Sequence, residues 1–255
     1  MVRTLEQTLP TLRRHLLEPF QPDIFVHTYD RSGLSGDIPD VNGEMLSRLL
    51  QPVDFRVVSQ AEKDPEFLRE RDRLYMLPGP VGPGGIAREQ IWKLRNVLSQ
   101  LWHVRECDRL RQGYEDRNGI RYDVVIRARM DSLFTATPEP LKEHGLAEWP
   151  KQTVFVPDHA AYGGVCDQFA MGERESMRVH CDYFTHFEKV FCSRPVLPRG
   201  YGAAEGLLKR YLLHVAKIRA IEFRIPFEIQ REGSTSIQSQ ITDAYFRRYM
   251  LMEAA

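Results

Sequence analysis

The sequence has no excess of charge: 35 Lys and Arg stand against 35 Asp and Glu in 255 residues. A nucleic-acid-binding domain ordinarily carries a basic surplus, so the balance argues against nucleic acid as a partner. Cysteine is scarce. The four residues (Cys107, Cys166, Cys181, Cys192) form no CxxC pair. A chain of this length needs no disulfides to build a core, and this usage points to a reduced, cytoplasmic compartment. No apolar run approaches the ~20 residues of a membrane-spanning helix, which leaves peripheral membrane contact at most. The opening residues MVRTLEQTLPTLRR are polar and amphipathic, unlike a signal peptide. GxSxG, HExxH, the P-loop and a strand-borne GxGxxG are all absent. GPVGPGG is proline-laden and misses the last spacing, and the histidines and cysteines lack zinc-site spacing.

What is present is alternation. Leu5, Leu9, Leu12 and Leu16 recur on one helical face. DIFVHTY follows as a short strand, GEMLSRLLQ as a helix and VDFRVVS as a second strand. YMLPGPVGPGGIARE is a long Pro/Gly-rich surface loop. A long helix over about 87–112 has a stripe of Ile91, Leu94, Leu98, Leu101 and Trp102, and Asn118-Gly119 signals a turn. Beyond the next strand come TVFVP, a helix over ERESMRVHCDYFTHFEKVF, a helix over AEGLLKRYLLHVA, and a final strand. That strand alternates Ile221, Phe223, Ile225, Phe227 and Ile229, with Pro226 among its outward residues favouring a sheet edge. This order predicts one α/β domain over residues 1–255, a mainly parallel central sheet with helices on both faces. Such folds usually open on a central strand, but here a helix comes first, so a first strand is expected ahead of it.

The stretch RYDVVIRARMDSLF runs a buried strand into charge. If the strand stays extended, Arg127, Arg129 and Asp131 share one face. They would stand at a strand's C-terminal end, where ligands sit in open α/β sheets. Arginine suits phosphate, and a carboxylate beside phosphates suits Mg²⁺ or Mn²⁺. The trio therefore fits a nucleoside diphosphate. An Arg–Asp ion pair supporting a loop is the alternative. Downstream, VFVPDHAAYGGVCDQFAMG places Gly163-Gly164 before Asp167-Gln168. Adjacent glycines allow close backbone approach, and Asp167 suits a sugar hydroxyl or a general base. A simple turn and a helix cap are the alternatives. His27 and Tyr29 could flank a base or a sugar, or be structural. Glu205, opening EGLLKRYL, is a further candidate or an N-terminal helix charge.

YDVVIRARMD, followed by GGVCDQFAMGERESMRVHCDYF and preceded by DIFVHTYD, resembles the small GT-A-like glycosyltransferases of bacterial surface-polysaccharide clusters and algal viruses. The resemblance covers nearly the whole chain. It implies a single GT-A-like, Rossmann-like domain transferring a sugar from a nucleotide-diphosphate donor to a saccharide or glycolipid hydroxyl. It puts Asp131 at the metal-binding carboxylate for Mn²⁺ or Mg²⁺. Arg129 stands where the family's first Asp is expected. Asp167 falls at the acidic residue of the DxF loop, catalytic or on the acceptor side. Arg3-Thr4 resembles the tail of the loop between the first strand and helix. Arg127, Arg129, Gly163, Gly164, Gln168, His27, Tyr29 and Glu205 complete the expected substrate-binding set. A catalytically inactive nucleotide- or carbohydrate-binding module of the same fold is the competing expectation.

Overall fold

The structure, a computed structural model, describes residues 5–30, 42–76, 88–161, 163–193, 203–225 and 227–229. Arg3, Thr4, Pro226 and most of the Pro/Gly-rich loop therefore lie outside the described residues.

Helix α1 (Leu5–Leu12) widens into a π-type turn (Arg13–Leu17) and ends as α2 (Glu18–Phe20). Strand β1 (Phe25–Tyr29), α3 (Gly43–Leu50), β2 (Asp54–Val58), α4 (Gln60–Met76) and α5 (Arg88–Asn118) follow. Then come β3 (Val124–Ala128), β4 (Ser132–Phe134), α6 (Pro140–Glu143), β5 (Thr153–Pro157) and β6 (Phe169–Glu173). The described chain closes with α7 (Arg174–Cys181), α8 (Tyr183–Cys192), α9 (Ala203–Arg210) with a second π-type turn (Tyr211–Ala216), β7 (Arg219–Phe223) and β8 (Phe227–Ile229).

The leucine stripe behaves as its period requires: Leu5, Leu9, Leu12 and Leu16 are all buried. Helix α3 starts where the Asn42 side chain accepts the Met45 N–H, and Leu46 and Leu50 face inward. Two differences from the sequence expectation change the topology. The segment read as loop into helix after Gly163-Gly164 holds a strand, β6. The final alternating run is two strands, β7 and β8, and β8 leaves its sheet to pair with β4.

The sheet is mixed, which corrects the expectation of a mainly parallel one. The order β3-β6-β5-β7 has β6 antiparallel to both β3 and β5, and only β5 and β7 run parallel. The physical reason is the connection. β5 and β6 are joined by a loop that turns back through Gly163 at φ +81°, not by a crossover helix. A separate parallel pair, β1 and β2, stands beside this sheet.

Helices cover both faces. One apolar cluster joins Leu94 and Leu98 of α5, Phe187 and Phe191 of α8 and Leu207 of α9 to Val154, Val156 and Ala170 of the sheet. The other joins the α1 leucines, Leu46 and Phe134 to Phe155, Phe169 and Met171. Alternate residues of each strand thus go to opposite clusters, as a pleated sheet between two helical layers demands. Among the described residues, no helix is long and apolar enough to cross a membrane.

Candidate functional site

Strand β3 delivers its charged residues as it leaves the sheet. Val125 packs into the α5 layer, and two residues on, Arg127 is carried to the same side. Its Nη1 is buried and, among the described residues, has no hydrogen-bond partner. Burial pulls the Arg127 pKa below its ordinary value. The nearby charge of Asp167 opposes that shift, and Arg129 adds to it.

Arg129 and Asp131 form a bidentate pair, Nε to Oδ1 at 2.9 Å and Nη2 to Oδ2 at 2.7 Å. Asp131 is buried. Burial alone would lower Arg129, but the hydrogen bonds and charge of Asp131, with Asp167 beyond, hold it above its ordinary value. Between the two partners, the Thr8 hydroxyl donates to Met130 O at 2.6 Å, pinning the strand exit to α1.

Asp167 is not a helix cap. It precedes β6, and the carboxylate that starts the following helix is Glu173, which accepts the Glu175 and Ser176 N–H groups at 2.8 Å each. Asp167 is met instead by Gln100 of α5, Nε2 to Oδ2 at 2.8 Å. Its charge acts on both Arg127 and Arg129, so the three belong to one electrostatic cluster. Gln168 follows Asp167 and is half-buried.

The glycine pair has a backbone role. A Cβ on Gly164 would lie 2.1 Å from the backbone of Glu205, and Val165 N donates to Glu205 O at 3.1 Å. The loop is thus keyed to the first turn of α9. The structure brings Gly164 and Glu205 together there.

His27 and Tyr29 face α5. His27 Nδ1 lies 2.7 Å from His103 Nδ1, so one imidazole donates and the other accepts. Burial lowers His27 to about 4 and His103 to about 3, and both are neutral at pH 7. The Tyr29 hydroxyl accepts from Ser99 Oγ at 3.0 Å. Nearby, His180 of α7 is fully interior. Neither ring nitrogen has a partner among the described residues, and burial with Arg127 close by lowers it to about 3.

Gln100, His103 and His180 were not singled out from the sequence. The legible signal was Ser99, Gln100 and His103 flanking the apolar stripe of Leu98, Leu101 and Trp102 on that long helix. Among the described residues, no three His, Cys, Asp or Glu side chains are placed to hold a metal ion by themselves. Two surface depressions, of about 260 and 350 Å³, lie beside Gly164 and Glu222 and beside Glu173 and Ser176. Neither is lined by Arg127, Arg129, Asp131 or Asp167.

Chemically, the cluster offers two guanidiniums in a desolvated setting, one with a donor to spare, beside two carboxylates held in fixed orientation. That combination suits a compact, multiply charged anion carrying hydroxyl groups.

No curated protein and no solved structure matches the chain. The model of a domain of unknown function, DUF7796, matches residues 92–232, more than half of the chain. The match takes in β3, both arginines, Asp131, Asp167 and Glu205 and leaves out β1 with His27 and Tyr29. The chain belongs to the DUF7796 family.

Proposed function

We propose that this protein is a glycosyltransferase that moves a sugar from a nucleotide-diphosphate donor to a saccharide or glycolipid hydroxyl. The observation that carries the reading is the convergence of Arg127, Arg129, Asp131 and Asp167 at the exit of β3, with the buried Nη1 of the half-buried Arg127 unpartnered among the described residues. In this reading Arg127 and Arg129 bind the diphosphate and stabilise its charge as it leaves, the largest contribution to such a reaction. Asp167, oriented by Gln100, positions the acceptor hydroxyl or takes its proton. Each oxygen of Asp131 keeps a second lone pair after serving Arg129. Mg²⁺ or Mn²⁺ would be held there only together with donor phosphate oxygens, adding to charge neutralisation. The finer fold assignment, a GT-A-like arrangement, belongs to the same proposal, as does a cytoplasmic location.

A second reading is a binding module of the same fold without turnover. It is favoured by the closed Arg129–Asp131 pair, which neutralises the carboxylate a metal-dependent transferase would need. One experiment separates the two readings. The protein is incubated with a panel of nucleotide sugars, with and without Mn²⁺, and free nucleoside diphosphate is measured alongside a thermal shift. Turnover of one donor supports the transferase. Stabilisation without turnover supports the module. Neither stabilisation nor turnover by any donor contradicts both.

A further inference from the structure

We infer that Thr8 of α1 is a positioning residue of the site. Together with Thr11 it clamps the turn that carries Arg129 and Asp131, and through that turn it sets how the two charged groups meet a diphosphate. The inference rests on the diphosphate reading given above and adds the element that holds its geometry.

Thr8 stands where the helix calls for an apolar residue. Leu5, Leu9 and Leu12 form the buried face of α1, and Thr8 lies on that face with no exposed surface. A threonine inside a helix ordinarily returns its hydroxyl to a carbonyl of the preceding turn. For Thr8 that contact, to Leu5 O, is long at 3.4 Å. Its short bond, 2.6 Å, goes to Met130 O, 122 residues away in sequence.

The acceptor explains the choice. β3 ends at Ala128, and the chain turns before β4 begins, with Ser132 N donating to Arg129 O at 3.2 Å. Met130 O lies inside that turn, between the two members of the ion pair and beyond the β3–β6 ladder. A carbonyl there needs a donor from elsewhere, and Thr8 supplies it. Thr11 holds the far side. Its Oγ1 accepts from Phe134 N at 3.2 Å and donates to Thr8 O at 2.9 Å. The two hydroxyls thus fix the chain before and after Asp131. Apolar contact backs them, since Leu5, Leu9 and Leu12 share a cluster with Phe134 and Met130.

Fixing the peptide between Met130 and Asp131 fixes the direction in which the Asp131 side chain leaves the backbone. The bidentate contact with Arg129 depends on that direction, because both carboxylate oxygens are engaged. Binding and catalytic groups lose their effect when displaced by about 1 Å. Thr8 and Thr11 lie outside residues 92–232, which the family model matches, so the first helix completes a site whose charged groups lie inside them.

Thr8→Val removes the hydroxyl and leaves every charge in place, so a change in affinity reads geometry and not charge. Titration calorimetry with UDP, GDP and ADP compares the full wild-type chain with Thr8→Val, Thr8→Ser and Leu9→Ala. Leu9→Ala loosens the same helix face without touching the turn. Amide exchange at Ser132 is read in parallel, relative to Phe155 in β5. The expected result is a Kd raised at least about fivefold in Thr8→Val and changed by less than about twofold in Thr8→Ser and Leu9→Ala. Relative exchange at Ser132 should rise about fivefold in Thr8→Val alone. Should Thr8→Val fail to fold, Thr11→Val carries the same test on the other half of the clamp. Unchanged affinity in the valine variant, an equal loss in Thr8→Ser or Leu9→Ala, or unchanged relative exchange at Ser132 overturns the positioning role and leaves the diphosphate site standing. Absence of binding by the wild-type chain removes the diphosphate site and this role with it.

Discussion

Strands β5 and β3 lie in the same sheet, separated only by β6, yet they are buried differently. Every residue of β5 is buried, with Phe155 between Trp149 and Phe223 on one face and Val154 and Val156 on the other. No residue of β3 is fully buried, and its exit carries the polar groups with unusual surroundings: Arg127, the Arg129–Asp131 pair and, close by, His180. The β5 side holds the fold together by apolar contact. The β3 side gives up that contact and keeps Arg127 Nη1 and both His180 nitrogens without partners among the described residues, which costs stability and is expected where a ligand binds.

The largest effect that tests this contrast is in the core. Phe155→Ala should destabilise by about 3–5 kcal/mol in urea denaturation, while Val125→Ala should cost about 1 kcal/mol, because its site is half open and leaves less of a cavity. Similar costs per methylene at both sites would erase the contrast. Asp131→Asn should lower donor turnover by about a hundredfold, roughly 3 kcal/mol of transition-state stabilisation. Stability is measured separately, since breaking the pair with Arg129 also unbalances a buried charge. Wild-type turnover in the folded variant would return Asp131 to a purely structural role.

Acid should act on the buried imidazoles of β1, α5 and α7. His27, His103 and His180 have folded pKa values lowered to about 4, 3 and 3. Their neutral forms are favoured by folding, so this stability is present above about pH 6.5 and is lost as pH falls towards 4. The loss is about 1.4 kcal/mol per pH unit for each group. Urea titrations at pH 7.5, 6 and 5 check the slope, and His180→Phe should reduce it. A flat profile would contradict burial of these imidazoles as neutral groups. Smallest is Glu173→Ala at the start of α7, about 1 kcal/mol in a thermal melt with no change in donor binding. A loss of binding there would move the functional side of the molecule towards β6.

The features legible in the sequence were those written in periodicity. The leucine stripe of α1 and the strand at FVHTY follow from spacing of 3.6 or 2, whereas β3 ends at Ala128, so Arg129 and Asp131 do not continue its alternation but pair with each other across a turn, the alternative the sequence left open. Strand direction was not legible, because alternation is the same in parallel and antiparallel pairs. Only the connection decides, and the β5–β6 connection hides a strand, FAMGE, among Gly and acidic residues. Helix α4 was missed because its buried apolar residues are sparse: Phe67 and Leu74 stand seven apart in a charged sequence. Helix α7 and α8 read as one because the apolar face continues across Asp182, where the backbone breaks. The partners of Asp167 and His27 were illegible in principle. Gln100 and His103 reach them only because α5 packs on β1 and passes over the loop before β6.

The central claim is that the exit of β3 binds a diphosphate through Arg127. Titration calorimetry with UDP, GDP and ADP, on the wild-type chain and on Arg127→Lys, tests it most directly. The account predicts 1:1 binding of at least one of the three. It also predicts at least about a tenfold loss in Arg127→Lys, where a point charge replaces a planar fork. Absence of binding by all three, or equal affinity in both proteins, would contradict it.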